Sequence, residues 1–325
     1  MLKKNHLTLV INPIAGTLTK DGVADWVPRR LEAMGYVVET RLTAGPGDAT
    51  RIAAEAAARG DYGVLACGGD GTINEVARGL IGTETALGIL PAGSGNGLAR
   101  HIGVPVDVEM SLKVIEADNV AECDYGTVNG RPFFCTFGVG FDAAVSQRFA
   151  RQGKRGFGTY IQSAIDEFIK YNSETYEIVA DNEVITDRAF MVAVCNASQY
   201  GNNAFVAPAA SIRDGLLDVT IVHEGNLFTQ MLNSIELFTG SIGNHGRMRT
   251  FRTSSLTIRR SAPGPAHLDG ESMELPAELE IKCEHKKLRI FITRGKPRFR
   301  PILTPMVMTF NDWAIAIQRP FRKNK

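Results

Sequence analysis

The sequence predicts an α/β domain with a mainly parallel sheet, followed by a mostly antiparallel β domain. Three observations carry this. Apolar runs at 7–11, 63–66 and 87–90 each end in a glycine-bearing turn, with helical patterns between them. Beyond residue 125 most segments are short runs rich in β-branched and aromatic residues, bounded by turn residues. At 325 residues and 44% hydrophobic content, the chain is long enough to bury two cores.

In chain order, 7–11 reads as a strand that runs into Asn12-Pro13-Ile14-Ala15-Gly16. Residues 26–34 read as a helix closed by Gly35, and 36–42 as a strand. Asp48-Ala49-Thr50 is the capped start of an alanine-rich helix stopped by Gly60. The strand 63–66 then meets Cys67-Gly68-Gly69-Asp70-Gly71-Thr72-Ile73-Asn74-Glu75-Val76. Glycines without Cβ atoms let a ligand approach the backbone. Asp70 stands where a helix begins, Thr72 opens it, Ile73, Val76 and Ala77 form its apolar face, and Gly79 lies near its end. Free N–H groups and the positive end of the helix dipole favour a phosphate there. A carboxylate facing phosphate implies Mg²⁺ or general-base chemistry at Asp70. A tight turn capped by Asp accounts for the same residues equally well. Leu87-Gly88-Ile89-Leu90 leads into a second glycine turn, Pro91-Ala92-Gly93-Ser94-Gly95-Asn96-Gly97. Parallel strands place these loops on one sheet edge, where α/β sheets bind ligands.

The character changes near Asp124. Residues 126–137, with Asn129-Gly130 at the centre, read as a type I′ hairpin. A helical interlude including 160–170 follows, then strands at 175–180, 190–194, 217–222, 256–259, 279–283 and 288–293, with a helical insertion at 227–239. The domains are therefore expected at 1–125 and 126–296. Gly138-Val139-Gly140-Phe141-Asp142-Ala143 fits the GxGxxA form of a dinucleotide fingerprint, but a hairpin rather than a βαβ unit surrounds it, so the motif is not taken as one.

Composition excludes several classes. A net charge of +1 provides no basic field for nucleic acid. Cys67, Cys123, Cys135, Cys195 and Cys283 are odd in number and lack CxxC spacing, which argues against a disulfide framework or zinc site and for a reducing cytoplasm. The apolar run after Met1-Leu2-Lys3-Lys4 breaks at Asn12-Pro13, so it reads as a strand rather than a signal peptide. No run approaches the roughly 20 apolar residues of a membrane span, so membrane contact is expected to be peripheral.

In this order, NPxxG (12–16), GGDGTxNEV (68–76) and PxGSGN (91–96) resemble the diacylglycerol kinase catalytic domain superfamily, which includes bacterial diacylglycerol, sphingosine and ceramide kinases. The resemblance extends to Leu268-Asp269-Gly270-Glu271. It implies a nucleotide-binding α/β domain to which 297–325 returns, a β-sandwich domain for the lipid, and catalysis in the cleft between them. It also implies that Asn12, Pro13, Ile14, Ala15, Gly16, Thr43, Gly68, Gly69, Asp70, Gly71, Thr72, Asn74, Ser94 and Asn96 hold ATP. Glycine amides, small hydroxyls and an Asn96 N–H suit phosphates. Glu271 matches the general base of bacterial diacylglycerol kinases and Asp70 that of sphingosine kinases, so both stay candidates. Asp214, with the carbonyls of Ser211 and Leu216, matches a metal site suited to Mg²⁺, and Asp124 another acidic position of that network. On spacing alone, 214–216 is a β-turn before a strand and 269–271 a turn between strands.

The reaction implied is attack of a lipid hydroxyl on the γ-phosphate of ATP at the inner membrane surface, as in phospholipid synthesis, with a homodimer left open. The family's diacylglycerol kinases carry Lys after NPxxG and read GTxND in the second loop. This chain has Thr17, with Lys20 the nearest amine, and Gly93-Ser94-Gly95-Asn96-Gly97, which is closer to sphingoid-base kinases, so the acceptor alcohol stays open. The tail 301–325 mixes Met306, Met308, Phe310 and Trp313 with Arg319, Arg322, Lys323 and Lys325. Packing on the first domain with a solvated basic end is expected, and docking on an anionic membrane is the alternative. The competing functions are an NAD kinase, which shares GGDGT, and a nucleotide-binding regulator without turnover.

Overall fold

The computed structural model describes residues 2–15, 22–152, 171–181, 183–201, 204–225, 229–230, 233, 236 and 247–295. Four parallel strands form the N-terminal sheet: β1 (Lys3–Ile11), β2 (Val37–Leu42), β3 (Asp61–Gly68) and β4 (Ala86–Pro91), in the order β4-β3-β1-β2. The helices α1 (Val23–Ala33), α2 (Asp48–Arg59) and α3 (Asp70–Leu80) connect them, and α4 (Gly97–His101) and α5 (Val108–Glu116) follow β4. The order reverses between β1 and β3. The Asn12 and Gly68 loops therefore flank the crevice in which such sheets place ligands. Inward residues such as Leu9, Leu65, Ile73 and Leu87 are fully buried, and each such side chain contributes about 1.5–3 kcal/mol of burial free energy.

Gly79 lies near the end of α3 as expected, and a Cβ there would stand 2.5 Å from the Thr50 carbonyl, so it lets α2 and α3 pack closely. The N-cap of α2 is Gly47 rather than Asp48. Glu75 of α3 supplies the missing acceptor, taking the Gly47 and Ala49 amides at 2.9 and 3.1 Å.

The antiparallel half contains β5 (Val120–Val128), β6 (Arg131–Phe133), β7 (Thr136–Gly140), α6 (Phe141–Gln152), β8 (Glu174–Ala180), β9 (Glu183–Cys195), β10 (Leu217–His223), β11 (Met248–Thr253), β12 (Ser255–Arg259), β13 (Gly264–Leu268), β14 (Glu271–Leu275) and β15 (Glu278–Phe291). The expected Asn129-Gly130 turn is present, with φ of 47° and 76°. The hairpin is shorter than expected. It stops at Phe133, and β7 leaves to pair with β9 and β13. Gly138–Ala143 is therefore a strand-to-helix turn between antiparallel neighbours, not a βαβ unit. The two strands expected at 279–283 and 288–293 are one strand, β15, with a register shift between Glu284 and Leu288 and Lys286 at φ 53°.

β5 runs through residue 125, and β15 pairs with β5 along its length and with β4 at Ile290↔Leu87, joining the two halves. A second core, including Phe133, Phe137, Tyr176, Val192 and Ile281, fills the sandwich. The expected helix at 160–170 and the returning segment 297–325, with its basic and aromatic tail, lie outside the described residues. So does most of 227–239, of which Thr229, Gln230, Asn233 and Glu236 are helical.

Candidate active site

The first turn of α3 has no side-chain cap. Its N-cap is Gly69, which carries no side chain to satisfy the first amides. A Cβ on Gly69 would meet only Gly93 Cα, at 3.5 Å. Asn12 braces this turn. Its N–H donates to the Cys67 carbonyl at 3.0 Å, its Nδ2 donates to Thr72 Oγ1 at 3.0 Å, and its Oδ1 accepts from the Ile14 amide at 3.1 Å. Thr43 lies at the end of β2, its amide bonded to the Ile11 carbonyl. Pro13, Ile14 and Ser94 are exposed, Ala15 and Asn74 are buried, and Gly16, Thr17 and Lys20 lie outside the described residues.

Not every glycine here makes room for a ligand. A Cβ on Gly68 would stand 2.6 Å from Thr72 Oγ1, one on Gly93 2.7 Å from Gly69 Cα, and one on Gly95 2.8 Å from Asp70 Oδ2. Gly68 lets Thr72 fold back on its own turn, and Gly93 and Gly95 let the two glycine loops pack on each other.

Asp70 is the peg between them. Its Oδ2 accepts from the Asn96 amide and its Oδ1 from the Gly97 amide, both at 2.8 Å, so it caps α4 from α3. Burial pushes its carboxyl upward, and the amides of Asn96, Gly97 and Asp70 itself, with the charge of Arg100, oppose that shift. Asn96, at φ 52°, is itself clamped to Gly93: Nδ2 donates to the Gly93 carbonyl at 2.8 Å and Oδ1 accepts from its amide at 3.2 Å.

Glu271 arrives from the other domain. Asp269 (φ 51°) and Gly270 (φ 83°) form the tight turn between β13 and β14. The motif is thus a turn between strands, as spacing alone suggested, and it carries Glu271 to the domain junction. Asp269 fixes the turn by accepting from the Phe134, Cys135 and Thr136 amides at 2.7–2.9 Å. Glu271 Oε1 comes within 3.7 Å of where a Cβ on Gly71 would stand, and Oε2 lies 3.4 Å from Arg78 Nη2. The junction is closely packed. Burial pushes the Cys135 thiol upward, and Asp269, Asp70 and Cys195 around it add to the shift.

The residues expected at a metal form a separate group. Asp214 is exposed. Its Oδ1 accepts from the Leu216 amide at 3.2 Å, and its Oδ2 lies 3.6 Å from Arg252 Nη1. Asp124 is buried and shapes the loop, accepting from Gly215 N, His285 Nδ1 and Lys286 N at 2.7, 2.8 and 2.7 Å. One carboxylate and two carbonyls on one turn are donors of the right hardness for Mg²⁺, with Arg252 as the competing cation. Among the described residues, no three His, Cys, Asp or Glu side chains gather as a metal cluster.

Three contributors are not obvious from sequence. Glu75 caps the loop after Thr43, and His267 and Asp142, 3.0 Å apart and both buried, stand behind the Glu271 turn. Their signals are weak: a Glu inside the GGDGTxNEV run, a His one residue before Leu-Asp-Gly-Glu, and the Asp of the GxGxxA look-alike.

The Diacylglycerol kinase catalytic domain family matches residues 6–128, and the YegS C-terminal NAD kinase beta sandwich-like domain matches 135–292. The chain is 32% identical over 209 residues to the probable lipid kinase YegS of Escherichia fergusonii, covering 62% of this chain and 70% of that protein. It is 28% identical over 273 residues to a probable lipid kinase YegS-like protein of Pseudomonas putida, covering 82% and 89%. A crystal structure of a candidate diacylglycerol kinase from Bacillus anthracis shares the fold, with a TM-score of 0.76 at 23% identity over 90% of this chain and 97% of that one.

Proposed function

The chain belongs to the diacylglycerol kinase catalytic domain family, and from that premise we propose that it transfers the γ-phosphate of ATP to a lipid hydroxyl. The observation that carries the reading is the meeting of Glu271, on the β domain, with the uncapped first turn of α3, on the α/β domain. The amides of that turn hold phosphate oxygens, and Asn12, Thr72 and the Gly93–Asn96 loop shape the cradle. Glu271 accepts the proton of the lipid hydroxyl as its oxygen bonds to the γ-phosphorus. The bond from that phosphorus to the β–γ bridging oxygen breaks, and ADP leaves.

Of the two acids, Glu271 suits the base. It is exposed, whereas both oxygens of Asp70 are held by backbone amides. We therefore assign Asp70 to holding the two glycine loops together. Mg²⁺ supplies charge neutralisation on the phosphates when bound, and Asp214 with the carbonyls of Ser211 and Leu216 would hold a supporting Mg²⁺.

A lipid acceptor places the reaction at a membrane, and peripheral contact at the cytoplasmic face follows from it. No helix among the described residues is long and apolar enough to cross a bilayer. The test is ATP and Mg²⁺ with separate mixed micelles of diacylglycerol, sphingoid base, ceramide and monoacylglycerol, and NAD⁺ in parallel. A phosphorylated lipid is expected. NADP⁺ in its place would replace the reading, and ATP binding without any product would make the chain a regulator.

A further inference from the structure

We propose that His267 and Asp142 are positioning residues for Glu271: a buried histidine–carboxylate pair that holds the Asp269-Gly270-Glu271 turn with Glu271 beside α3. The inference rests on the kinase reading for the role of Glu271, but its geometry does not.

His267 is 1% exposed and Asp142 5% exposed. The Nε2 of His267 stands 3.0 Å from Asp142 Oδ2, and its Nδ1 lies 3.3 Å from the Gly270 amide nitrogen. That amide can only donate, so Nδ1 must present a lone pair, and Nε2 carries the proton toward the carboxylate. The pair thus sets one neutral tautomer, and that tautomer holds the backbone one residue before Glu271.

Asp142 is fixed in turn. Its Oδ1 accepts from the Ala143 amide at 2.8 Å in the first turn of α6, and its Oδ2 accepts from the Tyr200 hydroxyl at 2.9 Å. Tyr200 connects back to the phosphate loops, since a Cβ on Gly97 would stand 3.2 Å from its carbonyl. Gly138 leaves the space in which the pair closes: a Cβ there would lie 2.1 Å from Asp142 Oδ2 and 2.4 Å from His267 Nε2. The GxGxxA look-alike is therefore a seat for a carboxylate, and its first glycine is spent on the His267–Asp142 contact.

Two isosteres separate positioning from packing. His267→Asn keeps an acceptor where Nδ1 stood and loses the donor to Asp142. His267→Gln keeps the donor and loses the acceptor for Gly270. With ATP, Mg²⁺ and the preferred lipid in micelles, His267→Gln is expected to lower kcat roughly 10- to 100-fold at unchanged KM for ATP, and His267→Asn to stay within several-fold of the parent. Equal losses, or Gln outperforming Asn, would overturn the proposal. The ¹⁵N shifts of the His267 ring give a readout free of activity. The expected signature is Nε2–H with a bare Nδ1, moving to Nδ1–H in Asp142→Asn, whose amide can turn a donor toward Nε2. A resting imidazolium or Nδ1–H form sinks the proposal even if the kinase is active. Absence of any phosphorylated product in the parent protein would instead count against the kinase reading, with the ring shifts still deciding the pair. Asp142→Asn also serves if His267→Gln fails to fold.

Discussion

Glu271 and Arg78 meet across the domain junction, Oε2 to Nη2 at 3.4 Å, although 193 positions separate them. The contact is long and its partners are partly exposed, so it orients the carboxylate more than it stabilises the fold. Arg78→Ala is expected to change unfolding free energy by only about 0–1 kcal/mol in a denaturant titration. A loss of several kcal/mol would mean that the pair holds the domains together.

Asp70 should behave differently from Glu271. Replacing it with Asn puts an N–H donor against one of two amide donors, and the second glycine loop loses its peg. Asp70→Asn is expected to cost roughly 1–3 kcal/mol of stability and to weaken ATP binding in calorimetry. Unchanged ATP affinity with abolished turnover would return the general-base role to Asp70.

His101 provides a pH signature. Its Nδ1 accepts from the Ser198 amide at 3.1 Å, which requires a neutral ring, and burial lowers its pKa from 6.5 to about 4. The folded state thus resists protonation that the unfolded chain accepts. The stability present above pH 6.5 falls as pH drops toward 4, by about 3 kcal/mol in total. Denaturant titrations at pH 7 and pH 4 should show this loss, and His101→Gln should flatten it. An equal pH dependence in the variant would remove His101 as the cause.

The Asp214 turn predicts a metal-linked rise in melting temperature. A site filled at tenfold its Kd stabilises by about 1.4 kcal/mol, so Mg²⁺ should raise Tm in the parent protein but not in Asp214→Asn. If Mg²⁺ leaves the parent unchanged as well, Asp214 serves only Arg252 and the turn.

Much of this was legible in the sequence because glycine turns and hydrophobic period are local signals. The strand-to-turn units at Asn12, Gly68 and Gly93 and the I′ turn at Asn129-Gly130 appear as read. Long-range pairing was not legible. β13 and β14 are short and carry His267, Pro265 and Glu274 among their apolar residues, so pairing with β7 rather than local pattern makes them a hairpin. β9 extends back to Glu183 because β8 pairs with its polar first half. The same applies in the site. The motifs marked Asp70 and Glu271, but only the fold shows that Asp70 is spent on Asn96 and Gly97 while Glu271 faces the uncapped turn. Asp142 and His267, 125 positions apart, have no joint signature in the chain.

The most direct measurement is single-turnover phosphate transfer from labelled ATP to the preferred lipid by the parent protein and Glu271→Gln, with ATP affinity measured on both. With Glu271 as the base, the transfer rate should drop roughly 10²- to 10⁴-fold with ATP binding unchanged. Transfer at the parental rate in Glu271→Gln would contradict that role.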